Sequence, residues 1–368
     1  MPSPILPRAL AAGAAIAFIS PSSRINIELA PAMARATALL RERGFQVREI
    51  FTPDSGIQSS ISNRLSEIRT AFSDPSIAAI ICTTGGHSLN ELLPSLLADT
   101  ELHRTIRADP KIVVGYSDIT QLHWYLYAVA GLRTFYGPGA IPELCESRPA
   151  DDEAYMASPL RFCVENLFRA IMNPEPIGAV PRSLKYAPEP ALVYSDPAST
   201  EPPSLAPTPP WVWLRPGRGR GRLFGGCLTV MARLGAIPAL VPDWRGRVVF
   251  LETALNDTFV AGNPTHVVRA GISDLVAQGV FDGVAGLVVG RPFGYDSAEA
   301  RAAYAGVIRE LLCEGRLAEN GNAFPILFGV DFGHTTPMVT LPFDAMAVLD
   351  SGRDEFAVVE PAVSIREE

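Results

Sequence analysis

Over the first 140 residues, short β-branched runs alternate with stretches whose apolar positions recur every three to four residues. The runs at residues 14–20 (AAIAFIS), 45–50 (FQVREI), 77–84 (IAAIICTT) and 111–117 (KIVVGYS) predict four strands. The intervening pattern predicts helices from Glu28 to Arg43, stopping at Gly44, from Arg64 to Phe72, over NELLPSLL, and from Asp118 to about Ala130. Strand–helix alternation of this kind predicts βα units around a doubly wound parallel sheet, with ligands gathering at the carboxyl ends of the strands. Ser20, Thr84 and Ser117 fall at such ends.

The pattern changes in the middle of the chain. Twelve of the 33 prolines fall between Asn173 and Pro216, and proline removes a ladder donor and restricts the residue before it. This stretch reads as an extended linker between two domains. Beyond it, LFGGCLTVMARLGA, RVVFLET, GVAGLVVG, PILFGVDF and DAMAVLD read as five β-like runs with one or two helices, predicting a second, β-rich α/β domain. The expected division is an N-terminal domain over 1–165, a proline-rich segment over 166–216 and a C-terminal domain over 217–368.

Composition narrows the chemistry. With 48% hydrophobic and 19% charged residues in 368, the chain can bury two cores. A net charge of −8 and the lack of any long Lys/Arg run argue against nucleic acid as a partner. No apolar run approaches the roughly 20 residues that span a bilayer, and Ala9 to Ile19 reads as a first buried strand rather than a secretory signal. The five cysteines (Cys82, Cys145, Cys163, Cys227 and Cys313) are widely spaced with no CxxC pair, which reads as reduced thiols in a cytoplasmic protein with no metal site. No cofactor motif stands out.

The sharpest local signal is KIVVGYSDIT, where Ser117 joins an apolar strand to a helix. Such a turn exposes a hydroxyl beside the unpaired N–H groups of a helix start, as in a nucleophile elbow. Serine is also a favoured N-cap, and GYSD lacks the second glycine of G-x-S-x-G, so both roles stay open. A serine nucleophile needs a base. The chain has two lysines: Lys111 lies about 20 Å up the strand at the usual rise, and Lys185 lies in the proline-rich segment, which leaves histidine. His123 points to another face of the following helix, and His103 and His266 sit in polar contexts. His334 in DFGHTTP and His87 beside Gly85-Gly86 remain, the glycine pair being suited to offering N–H groups to an oxyanion. Glu252, closing the strand RVVFLET, is the candidate acid.

Taken together, SPSS near the start, TTGG followed by NELL, GYSDIT, FYGP, GGCL, VFLET and DFGHTTP resemble, in that order, the LD-carboxypeptidase family of serine peptidases, which includes murein tetrapeptide carboxypeptidases and microcin C immunity hydrolases. The resemblance runs from about Ile16 to Asp350. It implies a flavodoxin- or amidotransferase-like first domain and a swivelling-barrel-like second one. It further implies Ser117 as nucleophile, His334 as base and Glu252 as the carboxylate orienting it, with an oxyanion hole from the backbone N–H groups of Gly86 and Asp118. Gly85, His87, Trp213 and Cys227 are then expected to line the substrate site. Cys227 departs from the family's usual asparagine, and Trp211 and Trp213 are reminiscent of the aromatic loop of the immunity branch.

The expected activity is therefore hydrolysis of an amide bond in a small peptide-like substrate carrying a carboxylate, through an acyl-enzyme, by a homodimer. Hydrolysis of aminoacyl-nucleotide-like amides is the alternative within enzymes. A catalytically silent binding protein on the same fold is the alternative outside them, opposed by retention of all three candidate residues.

Overall fold

A computed structural model describes residues 4–149, 151–256, 260–315 and 323–365. In the first half, β1 (Ala15–Ile19), β2 (Gln46–Ile50), β3 (Ile77–Cys82), β4 (Ile112–Gly115) and β5 (Phe135–Tyr136) alternate with helices. These are α1 (Ala30–Glu42), α2 (Ile57–Ser73), α3 (Leu93–Ala98), α4 (Thr100–Ala108) and α5 (Thr120–Ala130). The five strands are parallel in the order 2-1-3-4-5. Successive connections therefore leave in opposite directions between β1 and β3, opening a crevice at the carboxyl ends of the strands. β1 and β4 are buried at every position, as continuous apolar runs require in a sheet covered on both faces.

Two helices, α6 (Asp152–Met156) and α7 (Pro159–Met172), lead into the proline-rich segment. This segment is more than a linker. Its strands β6 (Pro176–Ala179) and β9 (Val212–Arg215) form the two edges of the second sheet, while β7 (Lys185–Tyr186) and β8 (Ala206–Pro207) pair with each other. Edge strands tolerate proline because one side of the ladder has no partner to lose.

The second sheet is built on β10 (Arg218–Cys227), β11 (Val248–Glu252), β12 (Gly286–Gly290) and β13 (Ile326–Val330), which run parallel. Their connections are α8 (Leu228–Leu234), α9 (Thr265–Ala277) and α10 (Ala298–Leu312). The run expected as one β segment from Leu223 to Ala236 turns helical straight after Cys227, and among the described residues three helices rather than one or two pack in this half. Three last strands follow: β14 (Leu341–Pro342), β15 (Met346–Asp350) and β16 (Glu355–Pro361). β15 and β16 extend the second sheet antiparallel, giving eight strands, whereas β14 crosses over to become the sixth strand of the first.

Because one chain segment serves both sheets, the halves are locked together by buried polar contacts. Asp344, between β14 and β15, accepts from Arg247 Nη1 at 2.8 Å, with both side chains almost fully buried. The same guanidinium reaches Tyr127 of α5 at 2.6 Å. The Trp124 indole of α5 donates to the Gly225 carbonyl at 2.8 Å, and the Cys227 N–H donates to Thr120 Oγ1 at 3.1 Å. Gly226 (φ 141°) must be glycine, since a Cβ there would lie 2.3 Å from the Thr120 side chain.

Removing one partner of a buried ion pair leaves the other charge stranded, at a typical cost of about 3–5 kcal/mol. Arg247→Met is accordingly expected to lower the urea midpoint by that equivalent, and Asp344→Asn in the same background to recover part of it. Equal midpoints for Arg247→Met and the unaltered protein would show that the pair does not hold the two sheets together.

Candidate active site

The elbow after β4 has the expected geometry. Ser117 is a non-glycine residue at φ 63°, in the left-handed region, a conformation that costs on the order of 1–3 kcal/mol and persists only when its surroundings enforce it. The cap reading is not met: Tyr116 and Ile119 occupy the N-cap positions of the short 3₁₀ turn and of α5. Ser117 is partly exposed between buried neighbours. Its carbonyl accepts from Thr120 Oγ1 at 2.7 Å.

The paired glycines lie directly over this serine. A Cβ on Gly85 would stand 2.7 Å from Ser117 Cβ and 3.3 Å from the Asp118 nitrogen, and one on Gly86 (φ 140°) would strike the Ser22 and Ser23 hydroxyls. Only glycine lets the backbone approach this closely. The loop after β3 thus lays the Gly85 backbone against the serine turn, with Gly86 packed on the SPSS loop.

The Asp118 side chain anchors the elbow. Its fully buried carboxylate accepts from Ser22 Oγ (2.7 Å), the Leu89 N–H (3.0 Å) and Gln121 Nε2 (2.6 Å), with Arg233 of α8 at 3.4 Å. One side chain therefore ties the loops after β1, β3 and β4 to each other and to the second half. The SPSS motif contributes through Ser22 to this knot.

Across the crevice, His334 Nδ1 lies 2.7 Å from Glu252 Oε2, and the His334 N–H donates to the same oxygen at 3.1 Å. Glu252 is buried at the end of β11, and its other oxygen, Oε1, accepts from the Tyr136 hydroxyl at 2.5 Å. Burial works against ionisation of this carboxyl, yet the charge and hydrogen bonds of His334, with the bond from Tyr136, hold it below the ordinary carboxylate range. The glycines of DFGH and VVG make room: a Cβ on Gly333 (φ 85°) would lie 2.3 Å from Glu252 Cγ, and one on Gly290 2.9 Å from Glu252 Cβ.

His334 is fixed from a second direction. The Tyr116 ring meets it edge-on at 5.0 Å between centroids, and the Tyr116 hydroxyl donates to Glu143 Oε1 at 2.8 Å. Burial pushes the Glu143 carboxyl up to about 7. Glu143, Leu192, Val193 and Thr336 help line a small recess beside this cluster. The loop carrying His334 is itself anchored by Asp331, which accepts from Arg291 Nη2 at 2.9 Å and from Ser183 Oγ at 2.8 Å.

Other candidates have other roles. His123 is buried between the Gly115 carbonyl and Thr134 Oγ1, both at 2.9 Å, and burial lowers its pKa to about 4. His103 bonds the Leu96 carbonyl, while His87 and His266 are exposed. Cys227 pairs with Glu252 in register, but its thiol is buried and raised by burial, 3.7 Å from Thr229 Oγ1. It does not line an open surface. Trp213 is committed elsewhere too: its indole N–H donates to Asp354 Oδ1 at 2.8 Å, at the β15–β16 turn, and Trp211 stacks under Arg182, which pairs with the same Asp354. Both rings pin the proline-rich segment onto the second sheet. Tyr116 and Tyr136 lie in the GYSDIT and FYGP motifs but showed no role there, because a tyrosine beside a strand end looks like any core aromatic, and Glu143 lies in no motif at all.

Comparison with known proteins bears on the family and the fold. A putative carboxypeptidase of Vibrio cholerae is 28% identical over 95% of this chain and 96% of its own. The microcin C7 self-immunity protein MccF of Escherichia coli is 27% identical over 98% of this chain and 97% of its own, and its wild-type apo structure superposes with a TM-score of 0.83 over 98% of this chain and all of that one. A probable murein peptide carboxypeptidase of Bacillus subtilis is 24% identical over 97% of this chain and 95% of its own. Residues 16–137 match the LD-carboxypeptidase N-terminal domain and residues 220–349 the LD-carboxypeptidase C-terminal domain, so the chain belongs to the LD-carboxypeptidase family.

Proposed function

We propose that this hydrolase of peptide-like amides works through Ser117, His334 and Glu252. The single observation that carries the reading is the Glu252–His334 pair: with Nδ1 committed to a buried carboxylate, the imidazole is held as the tautomer whose Nε2 can take a proton. A strained, partly exposed serine stands on the opposing elbow.

In the reaction, Ser117 Oγ attacks the amide carbonyl carbon as His334 Nε2 takes its proton. The imidazolium is stabilised by Glu252, and the oxyanion by the N–H groups of Gly86 and Asp118. Collapse breaks the C–N bond, and His334 returns the proton to the leaving amine. Water, deprotonated by His334, then hydrolyses the ester and frees Ser117. The substrate favoured is a small peptide-like amide bearing a carboxylate. MccF has been seen in complex with aspartyl sulfamoyl adenosine, so an aminoacyl-nucleotide-like amide is the second reading. Trp213 no longer supports it, its indole being tied to Asp354.

Ser117→Ala is expected to abolish turnover of an LD-tetrapeptide or an aminoacyl-sulfamoyl nucleoside and to abolish labelling by a fluorophosphonate, while the melting curve stays near that of the unaltered protein. Near-normal turnover by the alanine variant would refute the nucleophile.

Glu252→Gln is expected to lower kcat by about 10²–10⁴-fold. The amide carbonyl can still accept from the imidazole, but its NH₂ then faces the Tyr136 hydroxyl and it carries no charge to stabilise the imidazolium. A fully active glutamine variant would dissociate Glu252 from the base.

Trp213→Ala is expected to cost about 1 kcal/mol or more of stability from the lost hydrogen bond and packing, and to leave the ratio of tetrapeptide to nucleoside-amide turnover unchanged. A large shift in that ratio would restore Trp213 to the substrate site.

A further inference from the structure

The Tyr136 hydroxyl joins the two halves of the site. It donates to Glu252 Oε1 at 2.5 Å and accepts the N–H of Ser117 at 3.2 Å, so one oxygen spans from the base-orienting carboxylate to the backbone of the nucleophile. The phenol is fully buried, and its ring is clamped by edge contacts to Tyr116, Phe250, Phe332 and Phe343 at 5.4–6.4 Å between centroids. Its backbone is fixed as well, paired with Gly115 of the elbow strand on one side and Leu341 of β14 on the other. A phenylalanine would satisfy this aromatic cluster equally well. The hydroxyl is what needs an explanation, because a buried O–H is retained only with partners, and both of its partners belong to the site.

We propose that Tyr136 is a positioning residue whose hydroxyl sets the spacing between Glu252 and the Ser117 elbow and tunes the strength of the base. The inference rests on the triad reading above. Two consequences follow from the direction of the bonds. By donating to Oε1, the hydroxyl draws charge from the carboxylate and moderates its hold on the imidazolium. By accepting from the Ser117 N–H, it helps hold the serine in its left-handed conformation without occupying Oγ. It touches no reacting atom, and its effect passes through Glu252 and Ser117.

The test is the second-order rate of fluorophosphonate labelling of the full chain, followed from pH 5 to 9 for the unaltered protein, Tyr136→Phe and Ser117→Ala. Tyr136→Phe is expected to melt normally, to label at least 10-fold more slowly at neutral pH, and to move the acid limb of the profile upward, since an undiluted carboxylate holds the imidazolium more tightly. A merely structural tyrosine would change the melting temperature without moving the limb, and that result, or a rate and profile equal to those of the unaltered protein, overturns the proposal. Should Tyr136→Phe itself melt early, the pH midpoint still decides, because it does not depend on the fraction of folded protein. If Ser117→Ala is still labelled, the triad reading fails. If it is silent and Tyr136→Phe behaves as the unaltered protein, the inference alone fails.

Discussion

The buried carboxylate of Glu252 is the constraint around which the rest is arranged. Taking a carboxylate out of water is expensive unless hydrogen bonds replace its hydration, and here three donors do so: the His334 ring, the His334 N–H and the Tyr136 hydroxyl. Those donors come from two chain segments belonging to different sheets. Gly333 and Gly290 have no room for a Cβ because the glutamate stem fills the space, so the sequence around the base is dictated by the acid as much as by the base itself.

This arrangement depends on how the sheets are joined. Ser117 stands at the carboxyl end of β4, and Glu252 and His334 at and beyond the ends of β11 and β13, so the geometry of the proposed triad is set by the seam between them. The seam is built from specific polar ties rather than from apolar contact alone. Arg247–Asp344 fixes the crossing segment, Trp124–Gly225 and Thr120–Cys227 seat the GGC strand end on α5, and Asp118 gathers three loops under the elbow. Hydrogen bonds of fixed geometry limit sliding in a way that apolar packing does not.

How much of this was readable beforehand depends on range. The strands β1, β3 and β4 fall within the expected runs because fully buried parallel strands write themselves as continuous apolar stretches. The break at Cys227 was missed because LTVMARL is apolar whether read with period two or period 3.6, and a short run cannot separate them. The proline-rich segment was read as a linker because its composition reports lost donors, not the edge position where that loss is harmless. At the site, Ser117, His334 and Glu252 were named from strand ends and ordered motifs, but whether Ser117 capped a helix could be decided only from where the 3₁₀ turn and α5 begin. Trp213 looked like a ligand platform because a sequence shows an aromatic without its partner, and Asp354 lies 141 residues away.

The same limitation explains why Tyr136, although it lies in the FYGP motif, showed no role. Its neighbours in sequence say only that a two-residue strand ends in FYGP, and its two partners are 19 and 116 residues distant. A nucleophile or a base is conspicuous because its side-chain chemistry is uncommon at a strand end. A residue that orients them need only place one oxygen between two others. Its identity follows from the vacancy it fills: a hydroxyl that donates toward a carboxylate, accepts from an amide, and is carried by a ring large enough to reach both from the neighbouring strand. Tyrosine alone among the side chains meets those terms inside an aromatic cluster, since serine and threonine are too short and histidine would bring a titratable charge beside the base. The requirement comes from the closed fold, and it exists only once both sheets have met.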